Sequence, residues 1–150
     1  MGIITSADTI LLGRTLAEGY IPHWLSAVED RDGPMIDLAR RIVDARKVVF
    51  TTTLTASPWP GTTLATGDLA TEVDALKRGP GKDLVVYGGS SLVSELIAGN
   101  LIDEYHLFVN PVALGRGVPI FARIAETMRL RLLRAVPYPS GIVLLTYEPS

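Results

Sequence analysis

Cysteine is absent from this 150-residue sequence, which excludes disulfides, thiol nucleophiles and thiolate metal sites. Histidine is scarce. His23 and His106 are too far apart to act as a helical pair of imidazole ligands. Neither sign of charge dominates, since 14 Lys and Arg stand against 16 Asp and Glu for a net charge of −2. That balance gives no indication of a basic groove for nucleic acid or a patch for an anionic membrane. No apolar run reaches the roughly 18 to 20 residues of a membrane helix. Residues Met1 to Asp8 lack the basic-then-apolar pattern of a secretory leader, so a cytoplasmic location is expected. Internal repeats, low-complexity tracts and dividing linkers are missing too, and the length suits one domain. Two phosphate-binding signatures are also lacking: there is no Gly-x-Gly-x-x-Gly and no Gly-x-x-x-x-Gly-Lys.

What the chain has in quantity is apolar surface, at 47 % of residues and a mean hydropathy of +0.29. Strands buried on both faces account for it most simply, with a subunit interface as a further outlet. Short apolar runs alternate with amphipathic segments. Thr9-Ile-Leu-Leu12 reads as a strand, followed by Gly13 and a helix from Arg14 to about Tyr20. A second helix starts at Pro34, with Met35, Leu38, Ala39, Ile42 and Val43 on one face. Lys47-Val-Val-Phe50 is a second strand, ending in Thr51-Thr52-Thr53. Asp68 is placed to cap a helix carrying Leu69, Val73 and Leu76, which Pro80-Gly81 stops. Leu84-Val-Val-Tyr87 is a third buried run, and Gly88-Gly89-Ser90-Ser91 leads into a helix with Leu92, Val93, Leu96 and Ile97 inward.

From Glu104 the pattern changes. Tyr105 to Val109 reads as a strand, residues near 119 to 124 as a short turn or helix, and Met128 to Val136 as a strand with one wet face. A turn over Pro137 to Gly141 returns the chain into Ile142 to Tyr147, giving an antiparallel hairpin expected on the same sheet. The fold class expected is α/β in three layers, a mixed and mostly parallel sheet flanked by helices and ending in that hairpin.

Ligands of open α/β sheets lie beyond the carboxyl ends of the strands. Three such ends carry residues suited to phosphate. Gly13-Arg14-Thr15 opens a helix whose free amides and dipole favour an anion, with a guanidinium fork and a hydroxyl beside them. Thr51, Thr52 and Thr53 offer hydroxyls without bulk. Gly88-Gly89 permits close backbone approach, and Ser90 and Ser91 open another helix. Each signal alone has an ordinary explanation in turn geometry, β propensity or surface charge. Together, at one end of three neighbouring strands, they indicate a long ligand with several phosphates.

As a set, Asp8-Thr-Ile-Leu-Leu-Gly-Arg-Thr15, Lys47-Val-Val-Phe-Thr-Thr-Thr-Leu54, Val86-Tyr-Gly-Gly-Ser-Ser-Leu92, Leu101-Ile-Asp-Glu-Tyr-His-Leu107 and Pro111-Val-Ala-Leu-Gly-Arg-Gly117 with Phe121 resemble the dihydrofolate-reductase-like superfamily. The nearer resemblance is to the reductase domain of the bacterial riboflavin-biosynthesis deaminase-reductase and its stand-alone relatives. It spans residues 7 to 148. It implies NADPH as hydride donor and a homodimer. Gly13, Arg14 and Thr15 would meet the cofactor phosphates, with Arg14 facing the 2′-phosphate that separates NADP from NAD. Thr51 to Leu54 would line the adenosine ribose, and Gly88, Gly89, Ser90, Ser91 and Leu92 would cradle the pyrophosphate. The family opens with a strand of the type S-L-D-G and a following helix, whereas the first motif here arrives at Asp8. Residues 1 to 6 look like the tail of that helix. Either the sequence is part of a longer one, or a single domain over residues 1–150 lacks the family's N-terminal strand. In dihydrofolate reductase that stretch holds the acidic catalytic group, so no proton donor is identified.

Tyr20 and Trp24, with His23, follow the first cofactor motif and are candidates for the border of a substrate pocket. His106 is expected to be structural. Asp103 and Glu104, at the start of a strand, read as structural more readily than as an acid–base pair, and Arg129, Arg131 and Arg134 read as a solvated strand face or dimer edge. The reading is an NADPH-dependent oxidoreductase for a small heterocyclic, pterin- or pyrimidine-like, or carbonyl substrate. Two alternatives stand beside it: a catalytically inactive nucleotide-binding or structural dimeric scaffold, and a flavin-mononucleotide binder.

Overall fold

The computed structural model describes residues 5–150, which fall into two compact units divided between Val93 and Ser94. In the first, Thr5 and Ser6 are helical and run straight into β1 (Ala7–Gly13). Then follow α1 (Arg14–Ala27), α2 (Ile36–Asp44), β2 (Arg46–Phe50), β3 (Thr62–Ala65), α3 (Leu69–Arg78), β4 (Asp83–Val86) and α4 (Ser90–Ala98), within which the units divide. All strand pairs in this unit are parallel, in the order β3-β2-β1-β4.

The alternation of side chains along β1 explains why it is apolar throughout. Ile10 and Leu12 point to one face, where α1 and α2 pack with Ala17, Ile21 and Ile42. Leu11 points to the other face with Val48 and Ala65, and Leu76 of α3 packs there. Helices on both faces leave β1 no wet side. Leu12 and Val49 are fully buried as a result.

Several boundaries differ from the sequence reading. α1 runs through Pro22 to Ala27 instead of ending near Tyr20, because Ile21, Trp24 and Leu25 extend its buried stripe past the proline. The helix expected from Pro34 begins at Ile36, after a turn in which the Ile36 amide donates to the Gly33 carbonyl, and Met35 is left exposed. β3 had no forecast at all. Its Thr-Thr-Leu-Ala is short, and only pairing with β2 makes it a strand. Asp68 caps α3 as expected, accepting from the Thr71 amide at 3.0 Å.

The second unit holds β5 (Tyr105–Val109), β6 (Leu130–Pro137) and β7 (Val143–Pro149) in the order β5-β7-β6, all antiparallel. The hairpin therefore belongs to a three-stranded ladder of its own, not to the parallel one. Its turn is closed by the Tyr138 amide on the Ile142 carbonyl, with Gly141 at φ +90. β6 was expected to have one dry face, yet Leu132 and Leu133 are 51 % and 43 % exposed, so both faces of its middle are open. Glu104 accepts from His106 Nε2 at 2.6 Å, which ties both into the start of β5 and supports their structural reading. Among the described residues no helix is long and apolar enough to cross a membrane.

Candidate functional site

Because the four strands of the first unit are parallel, the turns that follow them share one edge. The chain proceeds from β1 outward to β2 and β3, then returns to place β4 on the other side of β1. Strand order therefore reverses between β1 and β4, the position where open α/β sheets hold ligands. Gly13-Arg14-Thr15 leaves β1 there, and Gly88-Gly89-Ser90-Ser91 leaves β4.

The two turns are packed on each other. A side-chain carbon at Gly13 would stand 3.8 Å from Leu92 Cβ, and one at Gly89 would stand 3.9 Å from Leu16 Cβ. Leu92 is buried and packs between them. Gly89 sits at φ +81, where a non-glycine residue is strained, and its carbonyl accepts from the Val93 amide to start α4. Gly88 differs from it. Nothing lies within 4 Å of where its side chain would begin, so open space adjoins the backbone at that point. The α1 N-terminus has no side-chain cap, which leaves its first-turn amides available for an anion. Thr15, Ser90 and Ser91 are exposed on the same edge.

Arg14 is half-exposed, and its Nη1 donates to Glu18 Oε1 at 2.5 Å one turn along α1. The guanidinium is thus held at the site by a surface pair of small worth. Thr51 turns out to be occupied. It is buried, its Oγ1 accepts from the Thr53 and Leu54 amides at 3.2 Å each, and the hydroxyls of Thr51 and Thr53 lie 3.3 Å apart. Its hydroxyl therefore shapes the loop. Thr52 and Thr53 are the exposed members of the run, with Leu54 half-buried behind them.

Of the two aromatic candidates, Tyr20 reaches the crevice. Its ring stacks on Tyr87 at 6.3 Å, directly before Gly88, and meets Trp24 edge-on at 6.1 Å. The Tyr20 hydroxyl is buried and has no hydrogen-bond partner among the described residues. Burial, with the neighbouring Tyr87 adding to it, pushes its pKa well above the ordinary phenol value, so it remains a protonated donor. Trp24 instead lines a separate cavity with Ile21 and Leu25. His23 is exposed and meets Trp24 edge-on at 5.0 Å. Tyr87, 47 % exposed, is the residue that reading the sequence passed over. Its signal was an aromatic at a strand end ahead of paired glycines. Among the described residues no His, Asp or Glu cluster is arranged to hold a metal.

A parallel sheet with the uncapped α1 start at its strand reversal, followed by an antiparallel ladder, defines an α/β fold of the dihydrofolate-reductase-like kind. The RibD C-terminal domain family matches residues 2–144, and the chain belongs to that family. It is 33 % identical over 148 residues to Uncharacterized protein YyaP of Bacillus subtilis (strain 168), covering 97 % of this chain and 76 % of that protein. Among solved structures it is similar to a candidate riboflavin biosynthesis protein from Shewanella sp. PV-4, with a TM-score of 0.72, 19 % identity, and coverage of 98 % of this chain and 76 % of that one. It is also similar to dihydrofolate reductase from Enterococcus faecalis complexed with NADP(H), with a TM-score of 0.64, 18 % identity, and coverage of 97 % and 77 %.

Proposed function

We propose that this protein is an NADPH-dependent oxidoreductase acting on a small heterocyclic, pterin- or pyrimidine-like, or carbonyl substrate. The observation that carries the reading is the juxtaposition, at the strand reversal, of the uncapped α1 N-terminus with the open backbone at Gly88. The residues present fit a dinucleotide. Amides of the first turn of α1 and the Thr15 hydroxyl would take one phosphate, the Gly88-Gly89 backbone and the start of α4 the other, and Arg14 the 2′-phosphate. Thr52, Thr53 and Leu54 would border the adenosine. When bound, NADPH supplies the hydride. What the chain itself does is position and exclude water, the main contributions expected of a protein in cofactor chemistry. Tyr20 and Tyr87 wall the crevice with aromatic surface, and the Tyr20 hydroxyl stands ready to donate to a substrate or cofactor acceptor.

Two further features belong to the proposal. The second unit exposes Phe108, Val109, Val112, Leu114, Val118 and Leu132, an apolar surface that favours a homodimer. Among the described residues β4 ends the parallel ladder, and a further strand of the kind that opens the family would pair there. The second reading is an inactive dinucleotide-binding scaffold. Titration with NADPH and separately NADH, followed by nicotinamide fluorescence, tests the reading. Tight NADPH binding with preference over NADH is expected. Failure of both to bind would refute the cofactor assignment, and binding without turnover of any pterin, pyrimidine or carbonyl compound would favour the scaffold.

A further inference from the structure

At the amino ends of β2 and β3, away from the phosphate-suited turns, the first unit holds a partly open cavity of about 220 Å³. Its walls are apolar, formed by Ile21, Trp24, Leu25, Ile42, Val43 and Pro60, with Gly61 at its rim. One charged group lines it. Lys47 is only 5 % exposed, and its Nζ donates to the Val43 carbonyl at 2.6 Å.

That bond has an evident structural use, since the last carbonyls of a helix lack amide partners and a cation is favoured beside them. It engages one of three ammonium donors, however. Among the described residues no carboxylate forms an ion pair with Lys47. Asp44 acts on it only through space, against a burial effect that pushes its pKa down. An ammonium taken out of water without a counter-charge is costly, and an anion entering the cavity would relieve that cost. The walls set the rest of the requirement. A dry apolar cavity of about 150 Å³ takes a benzene-sized molecule, so this one suits a ring or branched chain bearing a single small polar head.

We propose that this cavity is a second ligand site, separate from the cofactor crevice, for a small apolar carboxylate such as an aromatic or branched-chain acid. The carboxylate accepts from Lys47 Nζ, and the apolar body lies against Trp24 and Ile42. The site does not depend on the reductase reading.

The test uses benzoate as probe and benzamide as its uncharged match, on the whole protein with lysine carbons labelled. Benzoate should raise the melting temperature saturably and bind at least about tenfold more tightly than benzamide, the advantage of a charge-assisted bond. It should shift the Lys47 Cε resonance while leaving those of Lys77 and Lys82 in place, and saturating NADPH should not displace it. Lys47→Met should abolish the preference over benzamide. Equal binding of the two compounds, an unmoved Lys47 resonance, or displacement by NADPH would each overturn the proposal. The resonance is read on the unmodified chain, so the test stands even if Lys47→Met fails to fold.

Discussion

Arg14 offers the sharpest test of the cofactor crevice, because its resting partner and its proposed partner differ greatly in worth. In the structure it is paired with Glu18 four residues on, both side chains well exposed at 41 % and 53 %. An exposed helical pair of this spacing contributes about 0.3–0.5 kcal/mol. A guanidinium hydrogen-bonded to a phosphate contributes about 1.5–3 kcal/mol. A cofactor phosphate would therefore win the competition, with Glu18 the partner that holds the fork near the α1 N-terminus until then. Arg14→Ala should change unfolding free energy by no more than about 0.5 kcal/mol. It should weaken NADPH roughly 10- to 100-fold while leaving NADH almost untouched, since NADH lacks the 2′-phosphate. Glu18→Gln removes the competitor and should tighten NADPH by about twofold. The assay is fluorescence titration of both nucleotides against wild type and the two variants, with thermal melts as a control. If Arg14→Ala leaves the NADPH-to-NADH preference intact, Arg14 does not read the 2′-phosphate.

The glycine pair should separate binding from folding. Gly88→Ala meets no atom within 4 Å, so melts should stay within about 0.5 kcal/mol of wild type while NADPH affinity falls, whereas Gly89→Ala at φ +81 should cost about 1–2 kcal/mol of stability. Equal effects of the two on both readouts would remove Gly88 from the binding surface. Tyr20→Phe deletes a buried hydroxyl that has no partner among the described residues, and unfolding should show a gain of about 1 kcal/mol together with weaker substrate turnover. A loss of stability would mean that the hydroxyl has a structural partner. The Asp8 carboxylate is held below its usual range by the Lys82 amide first and the Thr9 hydroxyl second. A carboxylate depressed in the folded state adds stability above its unfolded pKa of 3.8 and loses it as pH falls through the lower folded value. Acid unfolding of Asp8→Asn should therefore be shallower below about pH 4 than that of wild type, and an unchanged acid limb would count against the Asp8–Lys82 link.

Much of this protein was readable from residue order. The apolar runs at Ile10–Leu12, Val48–Phe50 and Leu84–Val86 called for strands covered on both sides, and the Gly, Thr and Ser punctuation after them marked where a ligand could approach. Asp68 announced its helix because capping is a local interaction between a side chain and the amide three residues on. Residues adjacent in sequence settle such features among themselves. Other features depended on partners distant in sequence. Thr62–Ala65 is a strand only because β2 lies beside it, and α1 outlasts Pro22 only because the sheet buries Ile21 and Leu25. Thr51 looked like a ligand hydroxyl until the loop folded back and used it. The pairing of Tyr20 with Tyr87, 67 positions later, and the enclosure of Lys47 had no local signal. Sequence alone indicated which strand ends are suited to phosphate, through short-range chemistry. Which of those groups remain free, and which side chains meet across the sheet, was decided by long-range packing that no local pattern encodes.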